Sequence, residues 1–161
     1  MIPAKRGKKP SQLKMQDACK AGDIEVVVAE MWAKMSIAGV QLQGCAALAS
    51  LAAVSDENGA AIARAGGIEA VVAGMRAHES SAGVQEQGCE ALASLSAESD
   101  ENQAAIVRAG GIGAVMAGLA AHGPSVGVQE QGCKALKTLA VMNDENQAAI
   151  ARGALRWWWQ G

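Results

Sequence analysis

The chain contains no phenylalanine and no tyrosine, and Trp32, Trp157, Trp158 and Trp159 are its whole aromatic content. A core built without rings must come from Ala, Val, Ile, Leu and Met, and half of the 161 residues are hydrophobic. Small aliphatic side chains suit closely stacked helices better than the wide interior of a sandwich. An excess of one charge is also missing, since the net charge is −2, so no global field points to a nucleic-acid partner. None of the four cysteines forms a C-x-x-C pair, which removes the usual zinc signature. The N-terminus lacks an apolar stretch of the kind a secretory signal carries. Ala109 to Gln129 holds no Asp, Glu, Lys or Arg, but Gly110, Gly111, Gly113, Gly118, Gly123, Pro124 and Gly127 interrupt it. No run approaches the ~20 apolar residues that a membrane span requires. The expectation is a soluble cytoplasmic protein, with the nucleus as the other compartment open to it.

What charge there is lies unevenly. Lys5, Arg6, Lys8, Lys9, Lys14 and Lys20 face only Asp17 before residue 21, and an acidic body follows. Residues 1–10 read as a basic, disordered tail; a short K/R-rich run also suits nuclear localisation or an anionic surface.

Recurrence is the dominant feature of that body. Gly39-Val-Gln-Leu-Gln-Gly-Cys45 returns as 83–89 and 127–133, each 44 residues on. Ser55-Asp-Glu-Asn58 returns at 99–102 and, with Asn143 in place of Ser, at 143–146. Arg64-Ala-Gly-Gly-Ile68 returns at 108–112. A fixed period in the forties with helical patterning marks stacked helical repeats. Each unit divides into three helices. Ser55, Ser99 and Asn143 are N-cap residues, and the Asp-Glu that follows suits a helix N-terminus. Gly66-Gly67 and Gly110-Gly111 end the first helix. Ile68, Val71, Val72 and Met75 give the second helix one buried stripe, repeated at Ile24, Val27, Val28, Met31 and at Ile112, Val115, Met116, Leu119. The third and longest helix runs from about Val84 to Ala97, with Leu92 expected among the most buried residues. A first helix is expected from near Ser11. The predicted organisation is a repeat domain over 11–153, with units 11–54, 55–98 and 99–142, a partial unit 143–153, and an irregular Trp-rich tail at 154–161.

The run 100–112 and the Gln-Gly-Cys-Glu-Ala-Leu-Ala-Ser-Leu run at 87–95 resemble the first and third helices of the armadillo repeat family. HEAT repeats, the nearest alternative, have two helices per unit. The resemblance implies an all-α, right-handed superhelix whose third helices line a concave partner-binding surface. One feature of importin-alpha-like members is missing. Where they carry a Trp and, four residues later, an Asn, this chain has Ala46, Glu90 and Lys134, then Ser50, Ser94 and Thr138. Recognition of nuclear-localisation peptides by that clamp is therefore not expected.

Candidate chemistry is sparse. Cys45, Cys89 and Cys133 share one repeat position and read as small core residues; Cys19 falls outside it. Equivalent helices ~8–10 Å apart hold thiols beyond disulfide reach. His78 and His122, with Lys34 at the same place, stand where a second helix exposes carbonyls. Gly110-Gly111-Ile112-Gly113 follows a helix and not a strand, against a phosphate-loop reading. Gly44, Gly88 and Gly132 sit inside helices and point to close helix approach. Neither an enzyme nor a cofactor or metal site is expected.

The expected function is a scaffold that binds a protein or peptide. Gln43, Gln87 and Gln131 form a constant row on the third helices; Glu90 and Lys134 vary at the next position, and Ser50, Ser94 and Thr138 follow. Amide groups both donate to and accept from an extended backbone. The alternative is a structural segment of a longer repeat protein without separate binding activity. At the ends, Asp23 and Glu30 replace Gly67 and Gly74 as a partial polar cap. The three terminal tryptophans are expected either to fold back or to drive self-association through the solenoid end.

Overall fold

The computed structural model describes residues 10–97, 99–141 and 143–160, with no side-chain description for 10–13, 157, 158 and 160. The basic segment 1–9 and the side chains of Trp157 and Trp158 therefore lie outside the described residues. Among the described residues the secondary structure is wholly helical. The order is α1 (Pro10–Ala21), α2 (Ile24–Ala33), α3 (Ala38–Ala52), α4 (Asp56–Arg64), α5 (Gly67–Ala77), α6 (Ala82–Ser96), α7 (Asp100–Arg108), α8 (Gly111–Ala121), α9 (Val126–Ala140) and α10 (Asp144–Gln160). The chain is an all-α solenoid of three three-helix units followed by one extra helix.

Local chemistry explains the boundaries. Ser55 and Ser99 Oγ accept from the amides of Asn58 and Asn102 at 3.3 Å, and Asn143 Oδ1 accepts from Asn146 at 2.9 Å. Each thereby satisfies one of the free N–H groups of a helix start. Ser81 and Ser125 do the same for α6 and α9. Between first and second helices the backbone turns through Gly66 (φ +77°) and Gly110 (φ +79°), a left-handed conformation that glycine alone enters without strain.

Second helices stack as α2–α5–α8, and third helices as α3–α6–α9, the most extensive contacts in the molecule. The core between these layers is aliphatic: Val27, Met31, Leu48, Ile62, Val71, Met75, Leu92, Leu95, Ile106, Val115 and Leu139 are all buried. The interior glycines set how closely the layers approach. A Cβ at Gly44 or Gly88 would stand 2.5 Å from the side chain of Met31 or Met75, and one at Gly132 2.6 Å from Leu119. The second-helix side chain at this position therefore lies directly on the third-helix backbone.

Both ends depart from the repeat. α4 and α7 pack on the third helix of the preceding unit, whereas α1 packs on α2 and on α3 of its own unit. Among the described residues no third helix precedes α1, and α1, with Met15 and Ala18 buried, packs on α3 and α2 instead. At the other end the sequence predicts an extra helix over 144–152 and an irregular tail after 153. Instead α10 continues to Gln160. The Gly-Gly terminator is replaced by Ala154-Leu155, and Ala, Leu and Arg favour continuation of the helix. Trp159 is 85% exposed and Leu155 64% exposed, so neither folds back onto the stack.

Two glycine substitutions should act with opposite signs. Gly113 is exposed in α8 with nothing within 4 Å of an added Cβ, so Gly113→Ala should stabilise by up to about 1 kcal/mol through helix propensity. Gly88→Ala brings the same propensity gain but must displace Met75, and overpacking should make it destabilising by about 1–3 kcal/mol. Urea denaturation of the two variants measures both signs.

Candidate functional site

The repeated motif holds two glutamines, two residues apart, and the structure separates their roles. The first of each pair is turned inward. Gln41 Nε2 donates to the carbonyls of Met31 (2.8 Å) and Lys34 (3.1 Å). Gln85 repeats this on Met75 (2.8 Å) and His78 (3.1 Å), and Gln129 on Leu119 (2.8 Å) and His122 (3.3 Å). These carbonyls close the second helix; those of Lys34, His78 and His122 already accept from the amides of Ile37, Ser81 and Ser125, and one side-chain amide bonds two carbonyls at once, fastening the third helix to the second. Sequence reasoning picks out the neighbouring glutamine as the informative one and misses this row. Strict recurrence at 41, 85 and 129 is visible, but recurrence alone does not separate a buried cap from an exposed contact.

The oxygen end of the same amide reaches the following unit. A Cβ at Gly74 would stand 2.8 Å from Gln41 Oε1, and one at Gly118 2.8 Å from Gln85 Oε1. Each glycine is thus a socket for the glutamine of the unit before. In the first unit that position is Glu30, which is buried, hydrogen-bonds Lys34 and ion-pairs with Lys14 at 3.7 Å. The Glu30–Lys14 pair ties α1 to α2.

Asparagine closes the other joint. Nδ2 of Asn58, Asn102 and Asn146 donates to Leu51, Leu95 and Leu139 at 3.0, 2.9 and 2.8 Å, sealing the third-helix C-terminus against the next first helix. His78 and His122 end α5 and α8 as expected, but their rings also reach back one unit. Nε2 of His78 lies 2.8 Å from the Met35 carbonyl and that of His122 2.7 Å from the Glu79 carbonyl. A carbonyl only accepts, so Nε2 carries the proton in both rings.

Gln43, Gln87 and Gln131 are half-buried on the third helices. The side-chain oxygens of Gln43 and Gln131, like that of Gln41 in the inward row, are shielded from solvent and have no donor among the described residues. Two concavities bring most of the remaining expected residues together. One, of about 550 Å³ between α1 and α3, is lined by Gln43, Ala46 and Ser50 along with Cys19, Lys20 and Leu51. The other, of about 290 Å³ at the C-terminal ends of the third helices, is lined by Ser94, Lys134 and Thr138 together with Asp56. Glu90 is half-buried on α6 and lines neither. Two hydroxyls are committed internally. Thr138 Oγ1 lies 2.6 Å from Ser96 Oγ, joining α9 to α6, and Ser50 donates to the Ala46 carbonyl at 2.9 Å.

The cysteine ladder is buried only in part. Cys45 and Cys89 are buried, but Cys133 is exposed. Each of the first two is covered by the third helix of the next unit, and no further third helix lies over Cys133. Burial, reinforced by the neighbouring Cys89 and Cys133 respectively, pushes the Cys45 and Cys89 thiols from 9.0 up to about 12. Among the described residues no three His, Cys, Asp or Glu side chains come together as a metal-binding group, and no single helix is long and apolar enough to cross a membrane.

No family model matches the chain, and no curated protein matches it. Two engineered proteins with crystal structures from the Northeast Structural Genomics Consortium are similar to it, with TM-scores of 0.72 and 0.71 at 30% and 31% sequence identity. The alignments cover 91% and 90% of this chain, which spans 56% and 34% of the length of those two proteins.

The two glutamine rows should separate in a stability measurement. Gln85→Ala removes two hydrogen bonds that tie α6 to the end of α5 and should cost about 1–3 kcal/mol, whereas Gln87→Ala should change stability by less than about 0.5 kcal/mol; urea melts of the two variants are the check. The thiols predict a pH dependence. With folded values raised above 9.0, Cys45 and Cys89 contribute fully below pH 9, and that contribution is lost as the pH rises towards about 12. Melts between these limits should show a shallower alkaline loss in the double variant Cys45→Ala, Cys89→Ala.

Proposed function

We propose that the chain is a non-catalytic interaction scaffold of armadillo type, which holds a protein or peptide against the face formed by its third helices. The observation that carries this reading is the contrast between the two glutamine rows. Gln41, Gln85 and Gln129 spend their amide donors on helix ends, whereas Gln43 and Gln131 make no such bonds and present shielded oxygens without a donor; in the first row only the Gln41 oxygen is likewise unmet, and it lies inside a joint, against Gly74. An unmet acceptor in a sheltered place costs free energy until a donor arrives, and an extended backbone supplies donors at regular intervals. Glu90 and Lys134 give successive units opposite charge at the next position, which would select side chains of a bound segment locally. The histidines are already bonded to backbone carbonyls and the buried thiols are held neutral, so neither supports a catalytic reading. An intracellular setting agrees with free cysteines.

The test is to pan a random peptide library on the immobilised full chain and measure the selected peptides by calorimetry. Gln43→Ala and Gln131→Ala should each weaken binding by roughly 2- to 10-fold, the value of one hydrogen bond, and Glu90→Lys should change which peptides bind. Glu69→Lys, on an exposed position of α5, should leave affinity unchanged. Equal, negligible effects of the three groove substitutions would remove the third-helix face from consideration.

A further inference from the structure

Among the described residues no third helix lies on the N-terminal side of α3, and the space beside it has a defined shape. Ala91 and Leu95 on α6, and Ala135 and Leu139 on α9, are at most 1% exposed. The corresponding residues of the first unit, Ala47 and Leu51, are only half-buried. In the second and third units a 15-residue third helix lies on the preceding side; in the first unit that side is met by α1, with 12 residues. The uncovered remainder is the concavity of about 550 Å³ between α1 and α3. Its wall is apolar along Leu42, Ala46, Ala47 and Leu51, and its rim carries one charge, Lys20. Gln43 lines it and brings a shielded oxygen without a donor.

We infer that this concavity docks an amphipathic α-helix of a partner protein, lying along α3 as α3 lies along α6, with small apolar residues inward and carboxylates towards Lys20. The inference rests on the scaffold reading and names one partner for one part of that surface. It follows from continuity with the α3–α6 and α6–α9 packing, which shows what covers these residue positions elsewhere in the molecule. The charge of the occupant follows from Lys20, the one charged residue that lines the concavity. A second copy of the chain is a poorer fit. Its exposed apolar residues on α10, Leu155 and Trp159, stand beside Arg152 and Arg156, which repel this rim.

The probe is a fluorescent, hydrocarbon-stapled peptide copying residues 38–52, with glutamate at the positions of Gln43, Ala46 and Ser50; a second form carries lysine there. Titrated with the full chain, the glutamate form should bind saturably and about fivefold more tightly than the lysine form. Lys20→Glu should reverse that order, and because Lys20 is exposed this variant keeps the fold. Ala47→Trp fills the concavity and should weaken both forms by at least about tenfold, with its melting curve recorded alongside. Absence of binding by both peptides, or binding that ignores Lys20→Glu, overturns the inference. So does a dimer of the chain alone that Ala47→Trp dissolves, since the occupant is then a second copy. If library-selected peptides respond to Gln43→Ala and Gln131→Ala while the stapled helices do not bind, only this inference fails. If the stapled helix binds and those peptides do not respond, the extended-peptide reading fails and this site stands.

Discussion

A helix that ends against another helix turns its last backbone carbonyls towards it, and the whole stack depends on what bonds them there beside the backbone N–H groups. The answer is a side-chain amide at every joint. Gln41, Gln85 and Gln129 close the joint between second and third helices, and Asn58, Asn102 and Asn146 close the one between a third helix and the next unit. Each amide reaches from one helix to another, so its bond to a helix-end carbonyl also fixes how two helices sit. The spacing of the units follows, because the Gln oxygen then needs the space left by Gly74 or Gly118 in the next second helix.

That polar frame determines what the apolar core can be. With the joints held this close, the methionines and leucine of the second helices lie on third-helix glycines, leaving no room for aromatic rings between layers. The absence of phenylalanine and tyrosine is the compositional trace of that spacing. The thiols at 45 and 89 fit the same narrow gap, and their burial keeps them neutral and unreactive.

The sequence carried the fold through its period and its punctuation. Capping residues, left-handed glycines and the Ile/Val/Met stripe lie within one turn of the structure they specify, so their meaning is local and readable. The role of Gly88 was also legible, because a glycine repeated inside a helix implies close approach. The split between Gln85 and Gln87 was not. The partner of Gln85 is a carbonyl ten residues earlier on another helix, and nothing in the local pattern says which of two glutamines faces it. The position of α1 was hidden for a similar reason: its sequence aligns with a first helix, but its contacts are set by the free side of α3. Cys133 aligned with two buried cysteines and is exposed because burial at that position comes from the following unit. The length of α10 turned on the loss of the Gly-Gly pair, where Ala154-Leu155 stands.

The division of labour between the two glutamine rows can be observed without changing the protein. If amide-sealed joints hold the stack together, the side-chain amide protons of Gln41, Gln85 and Gln129 are locked in buried bonds, and those of the other row are not. Hydrogen exchange of assigned glutamine side-chain amides, followed by NMR on the ¹⁵N-labelled chain, reads this directly. Protection of the first row by at least about a hundredfold over Gln43, Gln87 and Gln131 is the predicted result, since exchange there requires the joint to open. Equal exchange rates in the two rows would contradict the claim that these joints carry the stack.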